Sequence, residues 1–158
     1  MQVGRIETFD LLYDEDCGLC RAAARAAVRL ARPGALRATG LRTARAARLL
    51  PGLTGDERLR SFHLAAPDGR TWSAGDAVAP TLGLLPALRP VAGAMRRVPA
   101  LGRATTSSYD WVAGHRASVA ACLPESWKRP LTEREAGPPA LRPGASAYDR
   151  PGSGRSGR

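Results

Sequence analysis

A short apolar run that leads directly into two cysteines is the strongest constraint on the fold of this chain. Residues 8–14, TFDLLYD, are apolar and aromatic, a pattern typical of a buried strand. The following sequence, CGLCRAAARAAVRLAR, consists mainly of strong helix formers and ends at Pro33 and Gly34. We therefore predict a strand and then a helix whose first turn carries Cys17 and Cys20, capped by an aspartate of the intervening DED sequence.

The next residues repeat this alternation of strand and helix. Residues 35–41 fit a second strand and residues 43–50 a second helix, a β-α-β-α beginning typical of α/β domains. Residues 60–66 and 70–74 flank the sequence PDG at 67–69, where glycine suits the positive φ of a tight turn. This pattern predicts an antiparallel hairpin.

The C-terminal half divides into a helical region and a tail. Residues 74–122 have helical periodicity interrupted by prolines, so we expect three shorter helices, the last packing on the sheet. Residues 124–158 contain six prolines, five glycines and four serines, a composition that favours disorder. We therefore expect one domain at 1–123 and a disordered tail at 124–158.

The net charge of +10 raises the possibility of a nucleic-acid partner, because basic residues neutralise phosphates. All 24 basic residues except Lys128 are arginine, and they accompany abundant alanine, glycine and proline, which indicates codon bias. We therefore regard nucleic-acid binding as unlikely. Residues 21–48, called here the basic segment, contain eight arginines and no acidic residue. They form either a solvated helix surface or a rim that attracts an acidic partner.

Cysteine content and hydropathy bear on localisation. Three cysteines do not provide the even, widely spaced set that frames a small secreted protein. The first ten residues lack the apolar core of a signal peptide. Residues 82–101 are the most apolar stretch, but three arginines and three prolines interrupt them. We expect a cytoplasmic protein without a transmembrane segment, and these prolines also argue against an amphipathic membrane-surface helix.

The placement of the two cysteines suggests redox chemistry. Free backbone N–H groups and the helix dipole at the first turn favour the thiolate of Cys17, whereas the neighbouring Asp14, Glu15 and Asp16 oppose it. Cys20, three residues later, lies on the same helix face, about 5–6 Å away at Cβ, which allows a disulfide after small adjustment. Cys17 can therefore attack a disulfide, and Cys20 can resolve the product without a bound cofactor.

Two metal-dependent alternatives have weaker support. A Cys-x-x-Cys pair is also half of a zinc site, but the other candidate ligands, His63, His115 and Cys122, are single and scattered. We expect His63 to be a satisfied core or edge residue, His115 to lie at the surface, and Cys122 to be a small apolar residue or spare thiol. Asp14 and Asp16 have the spacing of Asp-x-Asp phosphatases, but the chain's single lysine lies in the tail. No metal site is expected.

Three sequence segments together resemble a known family. Residues 11–20, LLYDEDCGLC, contain an Asp-x-x-Cys-x-x-Cys motif at Asp14, Cys17 and Cys20. The segments FHLAAPDGRTWSAGDAVA and YDWVAGHR follow in the same order as in the DCC thiol-disulfide oxidoreductase family. The resemblance covers residues 8–122. The chain departs from the family at Glu15, where glycine is usual, and it lacks the proline that thioredoxins place before the third strand.

The resemblance implies a thioredoxin-like α/β fold, with a central mixed sheet flanked by helices and additional C-terminal helices. It implies Cys17 as nucleophile, Cys20 as resolving cysteine and Asp14 as an accompanying acid that either accepts the Cys20 proton or holds the loop. Asp76 is expected to cap a helix. The implied partners are a disulfide-containing protein or small thiol and a cellular dithiol reductant. The alternative is a non-enzymatic, redox-sensitive binding module that docks an acidic partner through the basic segment.

Overall fold

A four-stranded mixed sheet forms the centre of the computed structural model, which describes residues 7–136. Its strands are β1 (Phe9–Tyr13), β2 (Leu36–Gly40), β3 (His63–Ala65) and β4 (Thr71–Ser73), in the order β2-β1-β3-β4. β1 pairs parallel with β2 and antiparallel with β3, and β3 and β4 form an antiparallel hairpin. The predicted strands, their mixed pairing and the hairpin are confirmed.

Helices cover both faces of the sheet in the described part of the chain. They are α1 (Gly18–Leu30), α2 (Ala44–Leu49), α3 (Gly55–Leu59), α4 (Ala74–Leu84), α5 (Arg89–Arg97), α6 (Pro99–Gly114), α7 (Arg116–Ala121), α8 (Glu125–Lys128) and α9 (Glu133–Ala136), with a 3-10 turn at Pro86–Leu88. The predictions of α1 and α2 are confirmed, whereas α3 was not predicted. Its signal was a capping box, in which Thr54 and Glu57 exchange side-chain and backbone hydrogen bonds.

The region 74–122 contains four α-helices rather than the three predicted. Pro80 lies inside α4 without ending it, while Pro90 and Pro99 occupy the first turns of α5 and α6. Proline is tolerated in a first turn because its missing N–H would have no helical partner there. The final helix, α7, contacts α1, and it is α4 that packs against β3 and β4. Sequence periodicity located this helical region but assigned its breaks incorrectly.

Alternation along β1 divides the core between the two faces of the sheet. Leu11 and Tyr13 pack with α1 and α4 on one face, and Leu12 packs with α2 residues on the other. Successive side chains of a strand point to opposite faces, so an apolar run in a central strand serves both layers. Core packing on both faces of the sheet therefore fixes the end of β1, from which the chain leads into α1.

Residues 124–136, called here the C-terminal strap, contain α8 and α9 and pack against α1. Arg25 of α1 is only 1% exposed. Its guanidinium donates to Glu135 at 3.1 Å, to the carbonyl of Arg129 at 3.0 Å and to that of Pro130 at 3.2 Å. The expectation of disorder therefore does not hold for these residues of the predicted tail. Residues 137–158, its remainder, lie outside the described residues.

None of the helices within residues 7–136 is by itself long and apolar enough to cross a membrane. One pair, Ala74–Leu84 with Pro86–Arg97, passes the length and composition test together, with a bend of 112° between its members.

Candidate active site

Cys17 occupies the N-cap position of α1, at the edge of the helix rather than inside it. Its Sγ accepts a hydrogen bond from the backbone N–H of Cys20 at 3.3 Å. The expected aspartate cap is wrong, because Asp14 accepts instead from the N–H of Asp16 at 3.1 Å and thereby stabilises the preceding turn. The sulfur of Cys17 thus takes the position normally filled by a side-chain oxygen, and it faces the free N–H groups of the first turn.

Cys20 lies one helical turn further along, half-buried, and both sulfurs are free thiols. Burial, a hydrogen bond between its thiol and Cys17, and the charge of Cys17 raise the pKa of Cys20 to about 12. Arg116 opposes this rise in the pKa, and Asp14 adds to it. Cys20 therefore stays protonated at neutral pH, and its thiol can donate a hydrogen bond to the Cys17 sulfur.

Asp14 is the first residue of the strand-to-helix turn and lies beside the cysteine pair. Its side chain is 19% exposed, and its carboxylate lies 4.0 Å from the guanidinium of Arg42. Asp14 and Cys20 line the wall of the same cavity. The fold therefore brings together all three residues of the Asp-x-x-Cys-x-x-Cys motif, with Cys17 at the outer end of the turn.

Glu15 replaces the glycine expected at its position, and its side chain lies over Gly40 at the end of β2. A Cβ atom at Gly40 would lie 1.9 Å from Oε1 of Glu15, so any larger residue there would displace the Glu15 side chain. The other carboxylate oxygen accepts from the backbone N–H of Arg42 at 3.2 Å. The additional carboxylate is therefore held against the neighbouring strand by a packing arrangement specific to this pair of residues.

The arginines of the basic segment are extensively paired within the molecule. Arg45 forms a bidentate pair with buried Asp10, with distances of 2.8 and 2.7 Å, and Arg42 binds Asp16 at 2.8 Å. Arg29 contacts Glu135 at 3.2 Å, and Arg25 is buried beneath the strap. The basic segment is thus neither a uniformly solvated helix face nor an unpaired basic rim, because several of its arginines form ion pairs with carboxylates that are distant in sequence.

The C-terminal strap also reaches the cysteine turn. The Lys128 side chain lies over Gly18, where an added Cβ would be 3.2 Å from its Cγ and Cδ atoms. Arg21 donates to the carbonyl of Lys128 and to that of Glu15. Lys128 therefore contacts Gly18, the residue that directly follows Cys17. From the sequence alone, Lys128 is predicted to lie in a disordered tail, away from the cysteines.

An apolar cavity of about 440 Å³ opens beside Cys20. Its wall combines β1, α1, α4 and α6 and is mainly aliphatic, including Leu11, Ala23, Leu30, Val78, Leu82 and Val112. Tyr109 also lines it, and the hydroxyl of Tyr109 accepts from the N–H of Phe62 at 3.2 Å. No single segment predicts this cavity, because residues of several separate elements, from β1 to α7, contribute to it.

The other residues considered from sequence lie away from this chemistry. His63 is a satisfied core residue, as expected, since it is 1% exposed and contacts the Ser73 hydroxyl at 2.6 Å and the Arg58 carbonyl at 2.9 Å. His115 and Cys122 are exposed, and the His115 ring stacks on Trp111. Asp76 lies in the first turn of α4 but is not its N-cap, which is Ser73. Within residues 7–136, no group of three or more histidine, cysteine, aspartate or glutamate side chains is placed to hold a metal ion.

A central strand that leads into a dithiol at the start of a helix, on a mixed sheet covered on both faces, defines a thioredoxin-like α/β protein with a candidate redox site. The model of the DCC1-like thiol-disulfide oxidoreductase family matches residues 11–121. The chain therefore belongs to this family, as its sequence motifs predicted, and the family indicates thiol-disulfide oxidoreductase activity in general terms. Neither the curated proteins nor the solved structures contain a match.

Proposed function

We propose that the chain is a dithiol oxidoreductase in which Cys17 attacks a disulfide and Cys20 resolves the mixed product. The observation that carries this proposal is the contact between the two cysteines. Within one helical turn, Cys17 Sγ accepts a hydrogen bond from the backbone N–H of Cys20 at 3.3 Å. At the N-cap of α1, the Cys17 sulfur faces the free N–H groups of the first helical turn. The pKa of Cys20, raised to about 12, keeps the second thiol protonated while the first reacts.

The exchange balances without a bound cofactor. The Cys17 thiolate forms a bond to one substrate sulfur, and the other substrate sulfur leaves as a thiolate. Cys20 then transfers its proton to Asp14 and attacks Cys17, which releases the second substrate sulfur as a thiolate that solvent protonates and leaves the Cys17–Cys20 disulfide. Two electrons pass from the protein dithiol to the substrate. Asp14 is assigned this role because it shares the cavity wall with Cys20.

The substrate in this proposal is a disulfide-containing protein or a small thiol or disulfide, and a cellular dithiol reductant restores the reduced form. A cytoplasmic setting is part of the proposal and is supported by the small number of cysteines, all three of which are free. The reduction potential of the pair determines the direction, since 30 mV shifts the equilibrium by about 1.4 kcal/mol.

Trapping of mixed disulfides tests the assignment of the two sulfurs. In a Cys122→Ser background, Cys20→Ser is expected to accumulate a mixed disulfide with glutathione, whereas Cys17→Ser is not. The parent, with both cysteines, should lose two thiols reversibly and retain no glutathione by mass spectrometry. Equal trapping by the two serine variants, or a parent that forms no internal bridge under mild oxidation, contradicts the proposal.

A docking module that acts through the basic segment is the less favoured alternative. It requires arginines that are available to an acidic partner, yet Arg25, Arg29, Arg42 and Arg45 already contact carboxylates of the same chain. A partner would have to displace these pairs. The geometry therefore favours chemistry at the cysteines.

A further inference from the structure

The cavity beside Cys20 extends along α1 and is called here the channel. Its lining residues on this helix extend from Leu19 to Leu30, a length of about 16 Å at 1.5 Å per residue. Beyond Cys20 the lining residues of α1 are all alanine or leucine. An extended carbon chain of six atoms, about 8 Å long, fits within this length. The wall offers such a chain contact without a requirement for hydrogen bonds.

Three of the five polar side chains that line the cavity, those of Asp14, Tyr109 and Arg116, interact with Cys20, and the other two are Ser61 and Thr81. Asp14 and Arg116 both act electrostatically on Cys20, and Tyr109 is influenced by Cys20 and Arg116 in turn. The cavity therefore has a reactive, polar region at Cys20 and an aliphatic region along α1. A ligand with sulfur at one end and hydrocarbon at the other complements this arrangement.

We propose that the substrate is a low-molecular-weight disulfide with an alkyl chain, and that this chain occupies the cavity while its sulfur meets the Cys17–Cys20 pair. This inference rests on the proposed function and specifies its substrate class. The mixed disulfide on Cys17 directs the chain past Cys20 into the channel. Cys20 then bonds to Cys17, its proton passes to Asp14, and the alkanethiolate leaves and is protonated by solvent.

Alkyl methanethiosulfonates of increasing length provide the test. Each transfers its alkyl-sulfur group to Cys17 and releases methanesulfinate, after which closure of the Cys17–Cys20 bridge releases one alkanethiol. Ethyl and hexyl reagents differ by four methylene groups, each worth about fourfold in affinity when fully buried. We expect the hexyl reagent to react at least about tenfold faster than the ethyl reagent at limiting concentration, after normalisation to a cysteine peptide. Exposed Cys122, measured in a Cys17→Ser/Cys20→Ser variant, should show no such preference.

Filling the channel tests where the chain binds. Ala26 lines the cavity six residues from Cys20, about 9 Å along the helix, so Ala26→Phe occupies the channel without touching the cysteines. This variant should reduce the hexyl preference, measured as the ratio of the hexyl rate to the ethyl rate, to below about threefold. Val112→Phe makes the same test from α6 if Ala26→Phe does not fold. Ala47→Phe, at an exposed position of α2, is the matched control and should retain the preference.

The possible outcomes separate this inference from the proposed function. Bridge formation at equal normalised rates for both reagents overturns the alkyl-chain substrate and leaves the dithiol chemistry standing. A hexyl preference that survives in the filled variants also overturns it, because the chain then binds elsewhere. Failure of both reagents to produce the Cys17–Cys20 bridge overturns the proposed function, and the substrate assignment with it.

Discussion

Removal of Cys17 should change the acidity of Cys20 in a direction that the structure specifies. Burial is the largest cause of the raised pKa of Cys20, followed by the hydrogen bond to Cys17 and the charge of Cys17. Cys17→Ala deletes the second and third causes and leaves the first. The pKa of Cys20 should therefore fall in this variant and still remain above its ordinary value of 9.0.

The size of the effect follows from the two pKa values. A rise in the pKa of Cys20 from 9.0 to about 12 lowers its thiolate fraction at pH 8 about a thousandfold. The reactivity of a thiolate rises with its pKa, at a Brønsted slope of about 0.4–0.5, and this offsets part of the loss, so native Cys20 should alkylate about thirty to sixty times more slowly than an ordinary exposed thiol. Cys17→Ala should recover part of this factor, since only the contribution of burial remains.

Iodoacetamide labelling of the reduced protein, followed by peptide mass spectrometry between pH 6 and 11, measures each cysteine separately. Cys122 serves as the exposed internal reference. Denatured protein, in which all three thiols react alike, controls for local sequence effects. The reasoning is refuted if native Cys20 labels within tenfold of Cys122 at pH 8, or if Cys17→Ala leaves the labelling midpoint of Cys20 unchanged.

Three further predictions concern the scaffold of the site. Hydrogen bonds from Thr132 and Arg25 lower the pKa of Glu135 from 4.5 to about 2, so its stabilising contribution is complete above pH 4.5 and is lost as the pH falls towards 2. Hydrogen exchange of residues 125–136 should accordingly accelerate in that window before the sheet does, and simultaneous exchange would contradict a separately docked strap. Ala74→Gly should stabilise the fold by up to about 1 kcal/mol in urea unfolding, because Ala74 has a φ of +52°; a loss of stability would show that this backbone is not strained. Gly40→Ala should cost about 1 kcal/mol by displacing Glu15, and the same change in a Glu15→Gly background should cost little; equal costs would exclude this contact as the cause.

Local sequence signals predicted the part of the fold that holds the cysteines. The aromatic strand before Cys17, the helix stop at Pro33 and Gly34, and the Asp-Gly turn at 67–69 each depend on neighbours within a few residues. The turn glycine indeed has a φ of +89°. Proline was less informative, because the same residue ends a helix, begins one or is carried inside one according to tertiary packing. Pro80 inside α4 is the instance that periodicity could not foresee.

The C-terminal strap could not be predicted because its stability comes from distant partners. Residues 124–136 are rich in polar residues and proline, and by themselves they cannot bury enough apolar surface to order a chain. Hydrogen bonds from the Arg25 guanidinium hold the strap in place instead. They reach the carboxylate of Glu135, 110 residues away, and backbone carbonyls of the strap. The charge pattern of 21–48 was misinterpreted for the same reason. An arginine stripe without local acids describes a solvated surface only if no remote segment folds onto it.

The candidate site combines both kinds of information. The spacing of Cys17 and Cys20 was sufficient to predict that both lie in one helical turn, because that geometry is local. The difference between their environments is not local. Cys17 is the N-cap of α1, whereas Cys20 shares a cavity with Asp14 of the preceding turn, Tyr109 of α6 and Arg116 of α7. A symmetric motif in sequence thus becomes an asymmetric pair in structure. This asymmetry supports the proposal that Cys17 attacks and Cys20 resolves, and the apolar cavity lies beside Cys20.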